Sequence, residues 1–491
     1  MTIRATHDDQ SHSMSQHDEP YQHDPQHTYK AAVIGAGSGG LTMAIGLSNF
    51  GHEVVLIEGD KIGGDCTNVG CIPSKALLHA AQAGIDDPLA WVRGRRDELA
   101  HDEDVEMLEH DKILLARGWA TLTAKRDDHH VVMVDGPAGN VEVRAENVII
   151  SSGSKPISIP IDGLSAGRTV TNETLFDLDA VPDTIVLVGG GVISLEMATA
   201  FADLGTSVHI VELAERLIGN EDPLVSSTIE AALVGRGVQV HTGTSIERFD
   251  EATQTAHLTD GSSIADVDTV LIGVGRRPRF ADLGLDVAGV EATKRGIVAD
   301  DWGQTSVEGI YAVGDATGNT ATTHGANSIA RRTIRAIALP LPKIGEPRAL
   351  PNAVYSRPQI ASVGLSTAEL DALPEVGRVR YVKQLADIDR GYTDDVEHGF
   401  VAVDAERFTG KILRAAIVAP DAAEMIGMFT IMIDHGIGLR KLFGTVHPYP
   451  SYSQAVGFIA DEFAAQTFRK LPREWWAMLR GRVGAKWSRR P

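Results

Sequence analysis

Two stretches of this chain repeat one pattern, and that repetition restricts the fold more than any other feature. The first reads YKAAVIGAGSGGLTMAIGLSNFGHEVVLIEGD. A β-branched apolar run, Ala31 to Ile34, feeds the turn Gly35-Ala36-Gly37-Ser38-Gly39-Gly40; a helix-like stretch follows, then a second apolar run, Glu53 to Ile57, ending at Glu58. The second reads DTIVLVGGGVISLEMATAFADLGTSVHIVEL. Here Ile185 to Val188 feeds Gly189-Gly190-Gly191-Val192-Ile193-Ser194, and Val208 to Val211 ends at Glu212. Strand, glycine turn, helix, strand, acid is the signature of a dinucleotide site: the glycines let the backbone approach a pyrophosphate, the helix N-terminus faces its charge, and the acid accepts from a ribose hydroxyl. Two such units point to an α/β fold class with two dinucleotide-binding sites.

The two copies differ where chemistry is decided. Ser194 stands at the third glycine position of the second copy and is small enough for helix–strand packing. Glu212 accepts from an adenosine 2′-hydroxyl and repels a 2′-phosphate, so the second site favours NADH over NADPH, with Arg216 nearby as a group that softens the preference. Two dinucleotide sites in one chain suggest electron relay between a bound flavin and a nicotinamide. A further apolar run, GIYAVGDATG, ends at Gly314-Asp315, where Asp315 at a strand end suits a ribityl hydroxyl. From about Pro351 the pattern changes to strands and turns without a nucleotide signature, read as an α+β domain.

Only two cysteines occur in 491 residues, and both lie in GGDCTNVGCIPSK, as Cys66 and Cys71. Two thiols cannot form a secreted disulfide framework in so long a chain. The expectation is a reducing, cytoplasmic setting and a pair that is redox-active or metal-binding. No apolar run reaches the roughly 18 residues of a membrane span, and the net charge of −21 argues against nucleic acid. Residues 1–29 carry His7, His12, His17, His23 and His27 in a polar setting, read as a disordered tail, with weak metal capture as the sharper reading. Residues 466–491 are basic and hold Trp475, Trp476 and Trp487. A tail packed on the body is the plain reading; a peripheral membrane contact through residues 467–491 is the alternative.

In this order along one chain, the pieces resemble the pyridine nucleotide–disulfide oxidoreductases, the flavoprotein group of lipoamide dehydrogenase, glutathione reductase and mercuric reductase. The most specific piece is Gly64-Asp65-Cys66-Thr67-Asn68-Val69-Gly70-Cys71-Ile72-Pro73-Ser74-Lys75; Gly35–Gly40 with Glu58, Gly189–Gly191 with Glu196, Gly273-Val274-Gly275-Arg276 and Gly314-Asp315 support it. The resemblance implies two interleaved, doubly wound, Rossmann-like domains, FAD domain 30–156 and 278–348 and NAD(H) domain 157–277, and an α+β interface domain 349–465 joining two chains into a homodimer whose active site is shared. It implies FAD at Gly35, Gly37, Gly40, Glu58, Lys75, Gly153, Gly314 and Asp315, and the nicotinamide coenzyme at Gly189, Gly191, Glu196, Glu212 and Gly275. Cys71 would lie against the flavin as a charge-transfer thiolate, Cys66 would exchange with the acceptor, and Lys75 would pair with Glu196 near the flavin. No resident metal site is implied. A helix opening around Ser74 would lower a nearby thiol pKa through its dipole. A static structural disulfide is the competing reading of the pair.

One segment leaves the family pattern. Disulfide reductases of this group carry a C-terminal His-Pro-Thr-x-x-Glu, the His serving the partner chain's exchanging thiol as acid–base group. Here the stretch is Val446-His447-Pro448-Tyr449-Pro450-Ser451-Tyr452-Ser453-Gln454. Aligned on Pro450, Tyr449 stands at the His position and Gln454 at the Glu position; aligned on His447, the base survives two residues away. A phenol with a pKa of about 10 is a poor base, and losing a placed acid–base group costs about 10²–10⁴ in rate. Disulfides are therefore expected to be poor substrates. Mercuric reductases carry Tyr at this position but usually add a C-terminal cysteine pair, absent here. The expected activity is reduction of a thiol-reactive, metal or quinone-type small-molecule acceptor by NADH. A lipoamide-dehydrogenase-like enzyme and a redox-sensing flavoprotein with little turnover are the alternatives.

Overall fold

The structure, a computed structural model, describes residues 27–108, 110–137, 139–318, 322–339 and 349–467. The N-terminal histidines up to His23 and the three late tryptophans lie outside the described residues. His27, expected in a disordered tail, instead accompanies the first strand: its Nε2 lies 3.0 Å from the Glu53 carboxylate.

The first layer is a seven-stranded sheet. Strand β1 (Thr28–Ile34) runs through its centre, parallel to β2 (Val54–Glu58) on one side. Between them lies helix α1 (Ser38–Asn49). Then come the short α2 (Gly64–Asn68), α3 (Cys71–Ala83), the long α4 (Pro88–Leu108) and the parallel edge strand β3 (Ile113–Arg117). A meander, β4 (Trp119–Leu122), β5 (His130–Gly136) and β6 (Gly139–Ile150), returns antiparallel until β6 pairs parallel with β1. The central strands are apolar on both faces because helices and meander cover both, so Ala31, Ala32 and Val33 are buried.

The second sheet is five-stranded and parallel. Its core is β7 (Thr184–Val188), followed by α5 (Val192–Asp203), β8 (Ser207–Glu212), α6 (Pro223–Gly235), β9 (Gln239–Thr242) and β10 (Thr269–Ile272). Asp222 caps α6, its carboxylate accepting from Leu224 N at 2.8 Å, and Pro223 follows at the first helical position.

The chain then returns to the first sheet: β11 (Ile310–Ala312) pairs parallel with β6, and α7 (Thr323–Ala338) packs on α1. This return is the interleaving that the resemblance implies. Five strands of an antiparallel sheet follow: β12 (Asn352–Val354), β13 (Gln359–Gly364), β14 (Arg378–Gln384), β15 (Phe400–Glu406) and β16 (Ile412–Ala419). The short α8 (Asp389–Thr393) links β14 to β15; α9 (Ala422–Asp434) and a helix over 454–467 cover one face. The expected α+β domain is this sheet. Among the described residues no helix is long and apolar enough to cross a membrane.

Candidate active site

Both glycine turns are closed by the acid that ends the next strand. Glu58 accepts from Ala36 N at 2.7 Å and Asp60 N at 2.8 Å. Glu212 accepts from Gly190 N and, at 2.6 Å, from Ala214 N. Each carboxylate thus fixes the turn whose ligand it would meet. In the first turn the backbone is pressed so close that side chains are excluded. Gly35 has φ +97° and a Cβ there would run into the Ser151 carbonyl, while one at Gly40 would strike the Gly35 carbonyl. The second glycine pair, Gly63-Gly64, lies against this turn, with Gly63 N donating to Ala36 O at 2.9 Å and a bridge between Gly37 and Gly63. The result is a cradle of bare backbone at the N-terminus of α1, which fits a pyrophosphate.

Facing the cradle, Asp315 accepts from Ser154 Oγ at 2.6 Å. Arg276 gathers the surrounding segments: Nε donates to Ser154 Oγ at 2.7 Å, Nη1 to Asn172 Oδ1 at 3.1 Å and Nη2 to the Asp65 carboxylate. Gly153, Gly314 and Gly275 all take left-handed backbone in this neighbourhood.

Asp65 lies in α2, one residue before Cys66. The chain then turns at Gly70 and α3 begins at Cys71, not around Ser74 as the sequence suggests. Three extra residues of helix put Cys71 itself at the N-terminus, where backbone N–H groups and the helix dipole favour a thiolate. Both sulfurs are unbonded, and the hydroxyl of Thr323 sits between them, 3.3 Å from Cys66 Sγ and 3.6 Å from Cys71 Sγ. The Cys66 thiol, Thr323 and Lys75 together outweigh burial and bring the Cys71 thiol down to about 6. Donation to Cys71 and burial push the Cys66 thiol up. The pair therefore shares one proton unequally, with Cys71 the thiolate and Cys66 the thiol.

One turn further along α3, Lys75 Nζ meets both oxygens of Glu196 at 2.8 Å. Glu196 is 3% exposed, and Tyr355 N donates to it at 3.0 Å. Lys75 also stands 4.5 Å from the centre of the Tyr355 ring. The contact joins all three domains: α3 from the first, α5 from the second and the approach to β13 from the third.

The C-terminal segment is arranged differently from either alignment. Tyr449 is 72% exposed, and the Asp389 carboxylate at the start of α8 raises its hydroxyl above the ordinary phenol value. The His447 ring turns inward against Gly457, and its Nε2 is buried without a partner among the described residues. Gln454 is committed locally, its Oε1 accepting from Ser451 N at 3.3 Å. Arg276 entered the sequence reading only as the end of a motif without a role, and Asp65, Thr323 and Asp389 were assigned none. An acid inside the cysteine segment was a visible signal for Asp65; Thr323 comes from over 250 residues away, and no spacing rule reaches it.

Two glycine-turn nucleotide folds that converge on a thiol pair define a two-electron oxidoreductase. The family model described as "Pyridine nucleotide-disulphide oxidoreductase" matches residues 29–330, and that family's dimerisation domain matches residues 350–458. The chain belongs to the pyridine nucleotide–disulphide oxidoreductase family, whose members are FAD-dependent flavoproteins using pyridine nucleotides. It is similar to dihydrolipoyl dehydrogenase 3 of Haloarcula marismortui, 31% identical over 460 residues covering 86% of this chain and 94% of the relative. Mercuric reductase of Streptomyces lividans is 33% identical over 473 residues, covering 90% of this chain and 96% of the relative. Among solved structures, the Cu(II) complex of the HOCl-induced flavoprotein disulfide reductase RclA from Escherichia coli superposes with a TM-score of 0.79 at 27% identity, over 89% of this chain and 99% of that one. LpdA from Mycobacterium tuberculosis also gives 0.79, at 26% identity over 88% of this chain and 99% of that one.

Proposed function

We propose that this enzyme oxidises NADH and passes two electrons through Cys66 and Cys71 to a thiol-bound metal ion, in preference to a disulfide. The reading is supported by one observation: Tyr449, the residue that aligns with the family's acid–base histidine, is an exposed phenol held protonated by Asp389, while the ring nitrogen of His447 is turned into the protein. Such a site cannot take a proton from an attacking thiol at neutral pH, which disulfide exchange needs and metal reduction does not. A relative named mercuric reductase and a neighbour solved as a Cu(II) complex support the same class of acceptor.

In this reading Gly35, Gly37, Gly40 and Glu58 hold the adenosine and pyrophosphate end of FAD, and Gly153, Gly314, Asp315 and Lys75 its flavin end. Bound FAD supplies the two-electron step between nicotinamide and sulfur. Gly189, Gly191, Gly275 and Glu212 receive NADH. Glu212 faces the ribose 2′ position, and Arg216, expected to soften its preference, has both terminal nitrogens engaged elsewhere in its own loop and in α6. Lys75 holds Glu196 in place beside the nicotinamide. NADH and the disulfide give NAD⁺, the Cys66 thiol and the Cys71 thiolate. Two Cu(II) ions then become two Cu(I), or one two-electron ion is reduced, as the disulfide reforms and the thiol proton leaves. Two such chains, joined through the dimerisation domain, bring Tyr449 of one to Cys66 of the other.

The test is anaerobic NADH oxidation by the FAD-loaded enzyme with Cu(II), Hg(II), a quinone, glutathione disulfide or lipoamide, repeated with Cys66→Ser. Metal-dependent turnover that disappears in Cys66→Ser, with lipoamide about 100-fold slower than in dedicated dehydrogenases, is the expected result. Lipoamide turnover matching that class would overturn the reading of Tyr449. Flavin reduction without turnover on any acceptor would favour a sensor.

A further inference from the structure

The loop that follows Glu212 is fastened at both ends, and only one end belongs to the nucleotide domain. At the coenzyme end, Ile218 N donates to the carbonyl of Gly190 at 2.8 Å, and Leu217, fully buried, packs against that glycine. At the other end, the Glu221 carboxylate leaves its own domain: Oε1 accepts from Ser362 Oγ on β13 at 2.7 Å, and Oε2 pairs with Arg414 on β16. The Arg414 side chain is 6% exposed and that of Glu221 12%, so this is a buried ion pair, completed by Arg414 Nη1 donating to the Leu365 carbonyl at 2.7 Å. Asp222 repeats the arrangement with Arg380 on β14 while capping α6.

Between these anchors the loop carbonyls take up Arg216. Its Nη1 donates to the Glu221 carbonyl at 3.0 Å and to Ser226 Oγ at 3.2 Å, and its Nη2 to the Gly219 carbonyl at 2.7 Å. The one cation in the loop is thereby turned away from Glu212, whose carboxylate answers to Gly190 N and Ala214 N.

We propose that Arg414, a residue of the dimerisation-domain sheet, is a positioning residue for coenzyme selection. By pinning Glu221 it fixes the 213–222 loop in the form that withholds Arg216 from the 2′ position and supports the Gly190 turn. Selection against a 2′-phosphate then depends on two things: the negative charge of Glu212 and the absence of an available arginine beside it. Arg414 secures the second without touching coenzyme. The inference rests on the reading of the second nucleotide site as the NADH site.

The experiment uses full-length, FAD-loaded enzyme and measures kcat and KM for NADH and NADPH with an artificial electron acceptor, so the natural acceptor does not enter. Wild type is expected to prefer NADH; a wild type that prefers NADPH overturns the reading of Glu212 itself. Arg414→Met should raise KM for NADH about tenfold at nearly unchanged kcat and raise the NADPH/NADH ratio of kcat/KM by about tenfold, the scale of coupling between separated sites. Arg414→Lys should restore part of both. Adding Arg216→Ala to Arg414→Met should return the ratio towards wild type, because the freed guanidinium is gone. Removing one member of a buried pair can unfold a protein, so Arg216→Ala alone provides the second arm: it should leave NADPH kcat/KM no lower than wild type. A folded, flavin-loaded Arg414→Met with an unchanged ratio overturns the proposal. So does an Arg216→Ala enzyme that loses tenfold with NADPH only, which would mean Arg216 already binds the phosphate.

Discussion

The two glycine turns share a plan but not a degree of enclosure. Around the first, the backbone of Gly63 and Gly64 closes down on Gly37, and α1 presses so tightly that Gly40 has no room for a Cβ. Around the second, no atom of the described residues comes within 4 Å of the Cβ position of Gly191, Val192 is 46% exposed and Leu213 74% exposed. Helix α5 also stands far enough from its turn to accept Ser194 where α1 requires Gly40. A walled cradle suits a group that is bound once and kept; an open apolar shelf suits one that enters and leaves at each turnover. In a flavoprotein that uses pyridine nucleotides, the difference between a kept and an exchanged cofactor would follow from this spacing between helix and turn.

The largest expected effect tests that enclosure directly. Gly40→Ala drives a Cβ into the Gly35 carbonyl, a backbone atom that cannot step aside. We expect a loss of at least about 3 kcal/mol in folding stability and protein that purifies without flavin absorbance. A yellow, stable Gly40→Ala protein would mean that α1 stands off its turn as α5 does.

The acids separate the two sites next. Glu58→Gln and Glu212→Gln each keep one oxygen for the glycine-turn N–H and give up only the exposed bond from Asp60 N or Ala214 N, so both variants should fold. At the walled site, Glu58→Gln should leave FAD bound through purification. At the open site, Glu212→Gln removes the charge that repels a 2′-phosphate, and the NADPH/NADH ratio of kcat/KM should rise about tenfold or more. Coenzyme kinetics and flavin content, read on the same preparations, check both.

Much of this was legible in the sequence because it is local. Glycine turn and acid sit within one supersecondary unit, so Glu58 and Glu212 could be assigned by counting along the chain. Lys75 and Glu196 could be paired only through a resemblance, since they come from different domains and spacing cannot join them. Orientation was not legible at all. His447 is two residues from Tyr449, yet the Nε2 of one is buried against Gly457 while the other ring is exposed. Arg216 lies within the right distance of Glu212 along the chain and turns the other way because a third domain holds its loop. The start of α3 was misplaced for a related reason: Pro73 and Ser74 look like opening residues, but the tight reversal at Gly70 allows the helix to begin at Cys71.

A smaller effect concerns the sulfur pair on the walled side. Thr323→Ala removes the hydroxyl shared by Cys66 and Cys71, taking from the thiolate one of the contacts that favour it. A depressed thiol pKa means the thiolate persists above that value and is lost as pH falls through it. In wild type the long-wavelength charge-transfer band of the NADH-reduced enzyme should fade as pH drops through about 6. In Thr323→Ala the fading should begin at higher pH, by about one unit, equivalent to about 1.4 kcal/mol of lost thiolate stabilisation. An unmoved midpoint would assign the depressed value to the Cys66 thiol and Lys75 without the hydroxyl.

The smallest effect returns to the open turn. Ser194 is fully buried, and its Oγ has no partner among the described residues. A buried hydroxyl without a partner is a cost, and removing it leaves the packing of α5 on β7 almost unchanged. Ser194→Ala should therefore be neutral to stabilising, by up to about 1 kcal/mol, read as a melting temperature raised by about 2 °C or not at all. The Cβ that Ala would drive into the turn at Gly40 is already tolerated here, so the pair of variants measures helix-to-turn spacing at both sites by one substituent. If Ser194→Ala instead lowers the melting temperature or raises KM for NADH several-fold, the hydroxyl has a partner once coenzyme is bound, and the open turn closes on its ligand more tightly than its exposed shelf implies.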